Sequence, residues 1–132
     1  MWHQEAFYYD SHLVGRGYIA ILCQHIKSKS KCVVINVYAA CNLIDKVVIW
    51  ENLRNAKDAH PNLAWCFCGD FNAVRHENER KGTSTRVTQK KEINGFNNFI
   101  ERNFMVELPI VGKNTFGTRK MVKLRADWIE CL

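Results

Sequence analysis

The chain has 132 residues, 47% hydrophobic and 24% charged, a balance that gives one globular domain and excludes a disordered chain or a multidomain array. Nineteen Lys and Arg against thirteen Asp and Glu leave +6 with His neutral, which permits a polyanionic partner without naming one. No apolar run approaches the roughly 20 residues of a membrane span, and the opening Met1–Phe7 lacks the basic-then-apolar order of a secretory signal, so no membrane association is expected.

In chain order, Gly17 to Cys23 reads as a buried strand. The polar, basic His25 to Lys31 reads as a hairpin turn whose Lys27, Lys29 and Lys31 are solvated. Cys32 to Tyr38, β-branched and apolar almost throughout, is a second strand. Asn42 then caps a helix predicted over Leu43 to Ala59, with Val47, Trp50 and Leu53 as its buried stripe, and His60-Pro61-Asn62 stops it. Leu63 to Cys68 is a third strand, apolar on both faces and so suited to a covered sheet interior. It runs into Gly69-Asp70-Phe71-Asn72. Ala73 to Gln89 is polar and reads as a long surface loop. Ile93, Phe96, Phe99 and Ile100 mark an amphipathic helix from about Lys90 to Asn103. Met105 to Pro109 and Asn114-Thr115-Phe116 read as short extended pieces around a turn at Gly112, and Val122 to Leu132 as a closing strand carrying Asp127. Alternating strands and helices make this an α/β or α+β layered domain. Trp50, Trp65 and Trp128 have apolar neighbours and belong to the core.

The six cysteines, Cys23, Cys32, Cys41, Cys66, Cys68 and Cys131, are expected to be thiols in a reducing compartment. A zinc site needs CxxC and HxxxH pairs. Cys66 and Cys68 are two apart, which in a strand places both on one side and fits packing.

The chemistry-bearing feature is Gly69-Asp70-Phe71-Asn72 at a strand end. A carboxylate and a carboxamide two residues apart point into one pocket, and Gly69 lets the backbone turn or approach a ligand closely. Asp70 can bind a hard cation or orient water, and Asn72 can donate to a phosphate oxygen, a pairing suited to metal-assisted phosphodiester hydrolysis. A plain turn accounts for the same four residues, since Gly, Asp and Asn are all turn formers. The basic residues Arg75, Arg80, Lys81, Arg86, Lys90 and Lys91 suit either a DNA backbone or a solvated loop.

The run from Trp65 to Arg75 resembles the GDFN segment of the endonuclease/exonuclease/phosphatase superfamily, most closely that of the endonuclease domain of plant LINE-type (non-LTR) retrotransposons. Asn36-Val37-Tyr38-Ala39-Ala40-Cys41 is similar to that group's N-V-Y-A-P-C, with Ala40 in the Pro position. Asp45-Lys46 and Trp50-Glu51-Asn52-Leu53 resemble its helix. Glu79-Arg80-Lys81-Gly82, Phe96-Asn97-Asn98-Phe99-Ile100 and Leu108-Pro109-Ile110 with Asn114-Thr115-Phe116 resemble its E-R-x-G, F-N-x-F-I, L-P-L and F-T-W stretches. Leu124-Arg125-Ala126-Asp127-Trp128 resembles S-R-L-D-x. The segments match in order over about residues 32 to 132.

This resemblance implies a DNase I-like α/β fold, a four-layer sandwich of two packed β-sheets with helices outside. It implies one incomplete domain over residues 1–132. The implied chemistry is Mg²⁺- or Mn²⁺-dependent nicking of DNA. Carried over, Asp70 orients or activates water and is the weak metal ligand, Asn72 binds the scissile phosphate, and Tyr38 contacts a phosphate oxygen or the leaving group. Asp127 holds the active-site histidine, and Thr115, Arg75, Arg80 and Lys81 meet phosphate or DNA. The family's Glu metal ligand has no match here, Gln4-Glu5-Ala6 following no apolar strand, and its S-D-H segment has none before Leu132. The expectation is therefore a nuclease slice truncated at both ends and inactive by itself, a nuclear monomer with DNA as partner. The alternatives are a non-catalytic nucleic-acid binder and a phosphatase branch of the same superfamily.

Overall fold

A computed structural model describes residues 6–79, 86–107 and 124–126. Its strands are β1 (Phe7–Gly15), β2 (Tyr18–His25), β3 (Lys31–Tyr38), β4 (Ala64–Asp70), β5 (Met105–Glu107) and β6 (Leu124–Ala126), and its helices α1 (Leu43–Ala59) and α2 (Arg86–Arg102), with a 3-10 turn at Glu77–Glu79. The strands form one six-stranded sheet in the order β1-β2-β3-β4-β6-β5. β3 and β4 are parallel and the other neighbours antiparallel. Parallel neighbours need a crossover, and α1 supplies it.

Strand alternation sorts the sheet into two faces. Val33, Ile35 and Val37 of β3 and Trp65 and Phe67 of β4 point into a core shared with Ile49, Trp50 and Leu53 of α1 and Phe96, Phe99 and Ile100 of α2. Both helices therefore cover the same face. Trp50 packs 5.6 Å from Phe96 between ring centroids, and Phe67 meets Phe99 edge-on at 6.2 Å. The other face carries Cys23, Cys32, Val34, Asn36, Cys66 and Cys68, as the register pairs Cys23 with Cys32, Val34 with Cys66 and Asn36 with Cys68 show.

α1 begins and ends where the sequence placed it. Asn42 Oδ1 accepts the Asp45 amide at 2.9 Å, and Asn42 Nδ2 donates to Asp45 Oδ2 at 2.7 Å. The first of these bonds answers an amide that a helix start leaves without a partner. His60 closes the helix through its amide to the Lys57 carbonyl.

Four expectations change. The buried stripe of α1 is Lys46, Ile49, Trp50 and Leu53, with Val47 exposed, because Lys46 has a carboxylate partner in the core. α2 begins at Arg86, a turn earlier than predicted. That first turn lies ahead of the apolar stripe, which starts at Ile93, so periodicity does not register it. β4 runs on through Gly69 and Asp70, held by parallel pairing to Val37 and Tyr38. β1, not predicted at all, is an edge strand of mostly exposed side chains. Trp50 and Trp65 are buried as expected. The expected turn at Gly112, the Asn114-Thr115-Phe116 piece, the closing strand beyond Ala126 and the core role of Trp128 lie outside the described residues.

Candidate phosphate site at the β3 and β4 strand ends

Parallel strands present ligands at their carboxyl ends, and the two parallel strands here end at Tyr38 and Asp70. These residues are register partners. Tyr38 is 70% exposed and Asp70 half-buried. The segment between β4 and the following loop is fixed by a local network. The Ala39 amide donates to the Asp70 carbonyl at 2.8 Å. The Asn72 amide donates to Asp70 Oδ1 at 2.9 Å, closing an Asx turn, and Asn72 Nδ2 donates to the Ala39 carbonyl at 2.6 Å. Asn72 sits at φ 47°, a left-handed conformation that Asn tolerates better than most residues.

Gly69 is dictated by geometry. Its φ is +109°, and a Cβ there would lie 2.1 Å from the Val37 carbonyl oxygen and 2.6 Å from Asn36 Oδ1. Only glycine allows β3 and β4 to approach this closely at the point where Asp70 is presented.

Lys46 completes the support from beneath. It is fully buried, and its Nζ donates to the Asn72 carbonyl and pairs with Glu92 Oε1 at 2.9 Å. A buried ammonium is costly unless paired and hydrogen-bonded, and here it is both. The pair ties α1, α2 and the Asp70–Asn72 turn together. Neither residue has a role by sequence alone, Lys46 entering only in the resemblance of the helix. Lys46 was legible in part, since 46, 49, 50 and 53 follow the i, i+3, i+4, i+7 pattern, whereas nothing local marks Glu92.

Of the other expected site residues, Arg75 lies just past the turn. Its Nε donates to Asn97 Oδ1 at 3.0 Å, its carbonyl accepts from Asn97 Nδ2 at 3.0 Å, and Nη1 lies 3.7 Å from Glu107. Arg75 thus pins the loop to α2 and β5, a role the sequence did not suggest. Arg80, Lys81, Thr115 and Asp127 lie outside the described residues. Lys90 and Lys91 are exposed on α2.

A cleft of about 170 Å³ adjoins Tyr38, bounded by Arg16, Ala39, Asp45 and Ile49. A larger one of about 510 Å³ lies at the opposite end of the sheet, among His12, Leu13, Leu22, Val33, His60 and Leu63. The larger is remote from Asp70 and mostly apolar, so the smaller is the one relevant to the polar cluster.

The donor set tests whether Mg²⁺ or Mn²⁺ fits. Asp70 offers a carboxylate with one oxygen already accepting the Asn72 amide. Among the described residues no group of three His, Cys, Asp or Glu side chains is placed to hold a cation. Mg²⁺ wants near-octahedral oxygen ligation with carboxylates, waters and substrate phosphates, and the described residues alone do not make such a site. Among them, too, no helix is long and apolar enough to cross a membrane.

No protein-family model and no curated protein matches the chain. Solved structures do. An endonuclease/exonuclease/phosphatase family protein from Bacteroides thetaiotaomicron aligns with a TM-score of 0.62 at 9% identity, covering 95% of this chain and 53% of that one. The human Nocturnin catalytic domain, solved with a bound sulfate anion, aligns with a TM-score of 0.57 at 11% identity, covering 93% of this chain and 49% of that one. The chain spans about half the length of these structures. At such identity the likeness is one of fold, and the fold is the α/β, DNase I-like one of endonuclease/exonuclease/phosphatase proteins.

Proposed function

We propose that the chain presents the phosphate end of a metal-assisted phosphodiesterase site, of the retrotransposon endonuclease branch of this superfamily, with DNA as the substrate. The observation that carries the reading is the pairing of Tyr38 with Asp70 at adjacent strand ends, with Asn72 tied across both strands. In this reading the Asp70 oxygen not engaged by Asn72 orients the attacking water. Asn72 Nδ2 carries two hydrogens and gives one to Ala39, so the second is left for a phosphate oxygen. The exposed Tyr38 hydroxyl meets phosphate or the leaving oxygen. The sulfate on human Nocturnin supports an oxyanion ligand for this fold. Asp127, Thr115, Arg80 and Lys81 belong to the same site by sequence resemblance, with Arg75 positioning the loop beside it.

Mg²⁺ or Mn²⁺ is the cofactor this chemistry calls for. With one half-engaged carboxylate to hold it, cation affinity is expected to be weak and turnover very low. The reading makes the chain a nuclear, monomeric, DNA-directed protein.

The test is nicking of supercoiled plasmid with Mg²⁺ or Mn²⁺, beside an Asp70→Ala/Asn72→Ala variant. The expected result is no conversion above that variant. Metal-dependent nicking that vanishes in the variant would overturn the inactive reading and establish the enzyme. A second reading, nucleic-acid binding without catalysis, is favoured by the exposed Lys90 and Lys91 of α2. It requires DNA retention that survives both a chelator and the double variant.

A further inference from the structure

The face of the sheet opposite the helices carries a second chemistry, unrelated to phosphate. Cys23 of β2 and Cys32 of β3 are direct register partners, and their sulfurs lie 2.9 Å apart, well inside the contact distance of two unbonded sulfurs. The pair belongs to the hydrogen-bonded class of antiparallel partners, because the His25 amide donates to the Ser30 carbonyl two residues along the same ladder. Such partners have Cα atoms about 5.5 Å apart, within the range a disulfide spans. Cys23 is fully buried and Cys32 half-exposed. Both are free thiols.

We propose that Cys23 and Cys32 form an oxidisable dithiol, converted to a cross-strand disulfide by a low-molecular-weight disulfide such as oxidised glutathione. The accessible Cys32 thiolate attacks one sulfur of the oxidant and expels one equivalent of thiolate, leaving a mixed disulfide on Cys32. Cys23, as thiolate, then attacks the Cys32 sulfur and expels the second equivalent. The protein dithiol loses two electrons and two protons, and one oxidant molecule becomes two thiols. The electrostatics favour this order of roles. The hydrogen bond with Cys23 pulls the Cys32 thiol below its usual range. Bonding to Cys32, then burial, pushes Cys23 up. In a reducing glutathione pool the pair rests as thiols, and a shift towards oxidation closes the ring across the β2–β3 hairpin.

Chain connectivity supplies an internal control. Cys32 is as far in sequence from Cys41 as from Cys23, so loop-closure entropy in an unfolded chain favours neither partner. Only the fold selects Cys23. The experiment treats the native chain with oxidised glutathione, quenches in acid, alkylates in denaturant and maps tryptic peptides, since Lys27, Lys29 and Lys31 place cleavage sites between the two cysteines. The expected product is lighter by two hydrogens and joins the Cys23 peptide to the 32–46 peptide, which carries both Cys32 and Cys41, with fragmentation placing the bond on Cys32 and leaving Cys41 alkylated. The same treatment in guanidinium links Cys32 to Cys23 and Cys41 alike. In Cys23→Ser, Cys32 is expected to stop at the glutathione adduct. Alkylatable Cys23 and Cys32 after native oxidation, or native pairing of Cys32 with Cys41, overturns the proposal without recourse to any variant.

Discussion

At Lys46 an ammonium is taken out of water altogether and answered by two partners, the Glu92 carboxylate and the Asn72 carbonyl. Removing one member of such a pair leaves the other charged and buried, which costs about 3–5 kcal/mol, whereas replacing both by apolar groups of similar volume is often neutral. Lys46→Met is therefore expected to lower the urea midpoint sharply, and Lys46→Met/Glu92→Leu to recover most of the loss. A single variant as stable as the parent would show that the pair does not form. The double variant still lacks the bond to the Asn72 carbonyl, so the turn bearing Asp70 should exchange its amide hydrogens faster even where global stability returns. Gly69→Ala should fail by another route. Its positive φ alone costs more than about 1 kcal/mol, and the Val37 carbonyl leaves no room for a methyl group. The glycine and the Asp70–Asn72 pair were legible because their residue types are unusual at a strand end. The Lys46–Glu92 support was not, because it joins two helices through a contact that no local pattern encodes.

Among the elements, α1 was legible to the residue because both of its ends carry chemical stops, Asn42 at the start and His60-Pro61 at the finish. The cap gives a clean check. Asn42→Ala removes the acceptor for the Asp45 amide and should cost about 1 kcal/mol, read from thermal denaturation. α2 shows the complementary case. Its place in the core was legible from Phe96, Phe99 and Ile100, but its first turn was not, because propensity and not burial defines it. Phe96 is fully buried against Trp50 and Phe71, so Phe96→Ala should cost about 3–5 kcal/mol. β1 was illegible for a physical reason. Its side chains face solvent at the sheet edge, and what makes it a strand is its ladder to β2, a non-local property that Phe7–Gly15 does not advertise.

At the scale of the whole molecule, the DNA-directed reading proposed above separates the net charge of +6 from the Asp70–Asn72 turn. Contacts to phosphate release counterions, so binding weakens linearly in log salt with a slope of about −0.9 for each phosphate neutralised. A pocket that recognises one phosphate through hydrogen bonds adds affinity but little slope. Lys90 and Lys91 stand exposed on α2, free of the core that their helix helps to build through Phe96 and Phe99. Lys90→Gln/Lys91→Gln should therefore leave the thermal midpoint unchanged and flatten the salt dependence of duplex DNA binding by about two contacts' worth, a slope change near 1.8. Asp70→Ala/Asn72→Ala should leave the slope where it is and remove whatever metal-dependent nicking exists. An unchanged slope in the lysine variant would place the DNA track away from α2. A slope near zero in the parent chain would remove DNA from consideration, and the Tyr38–Asp70–Asn72 cluster would then be tested with small phosphoesters.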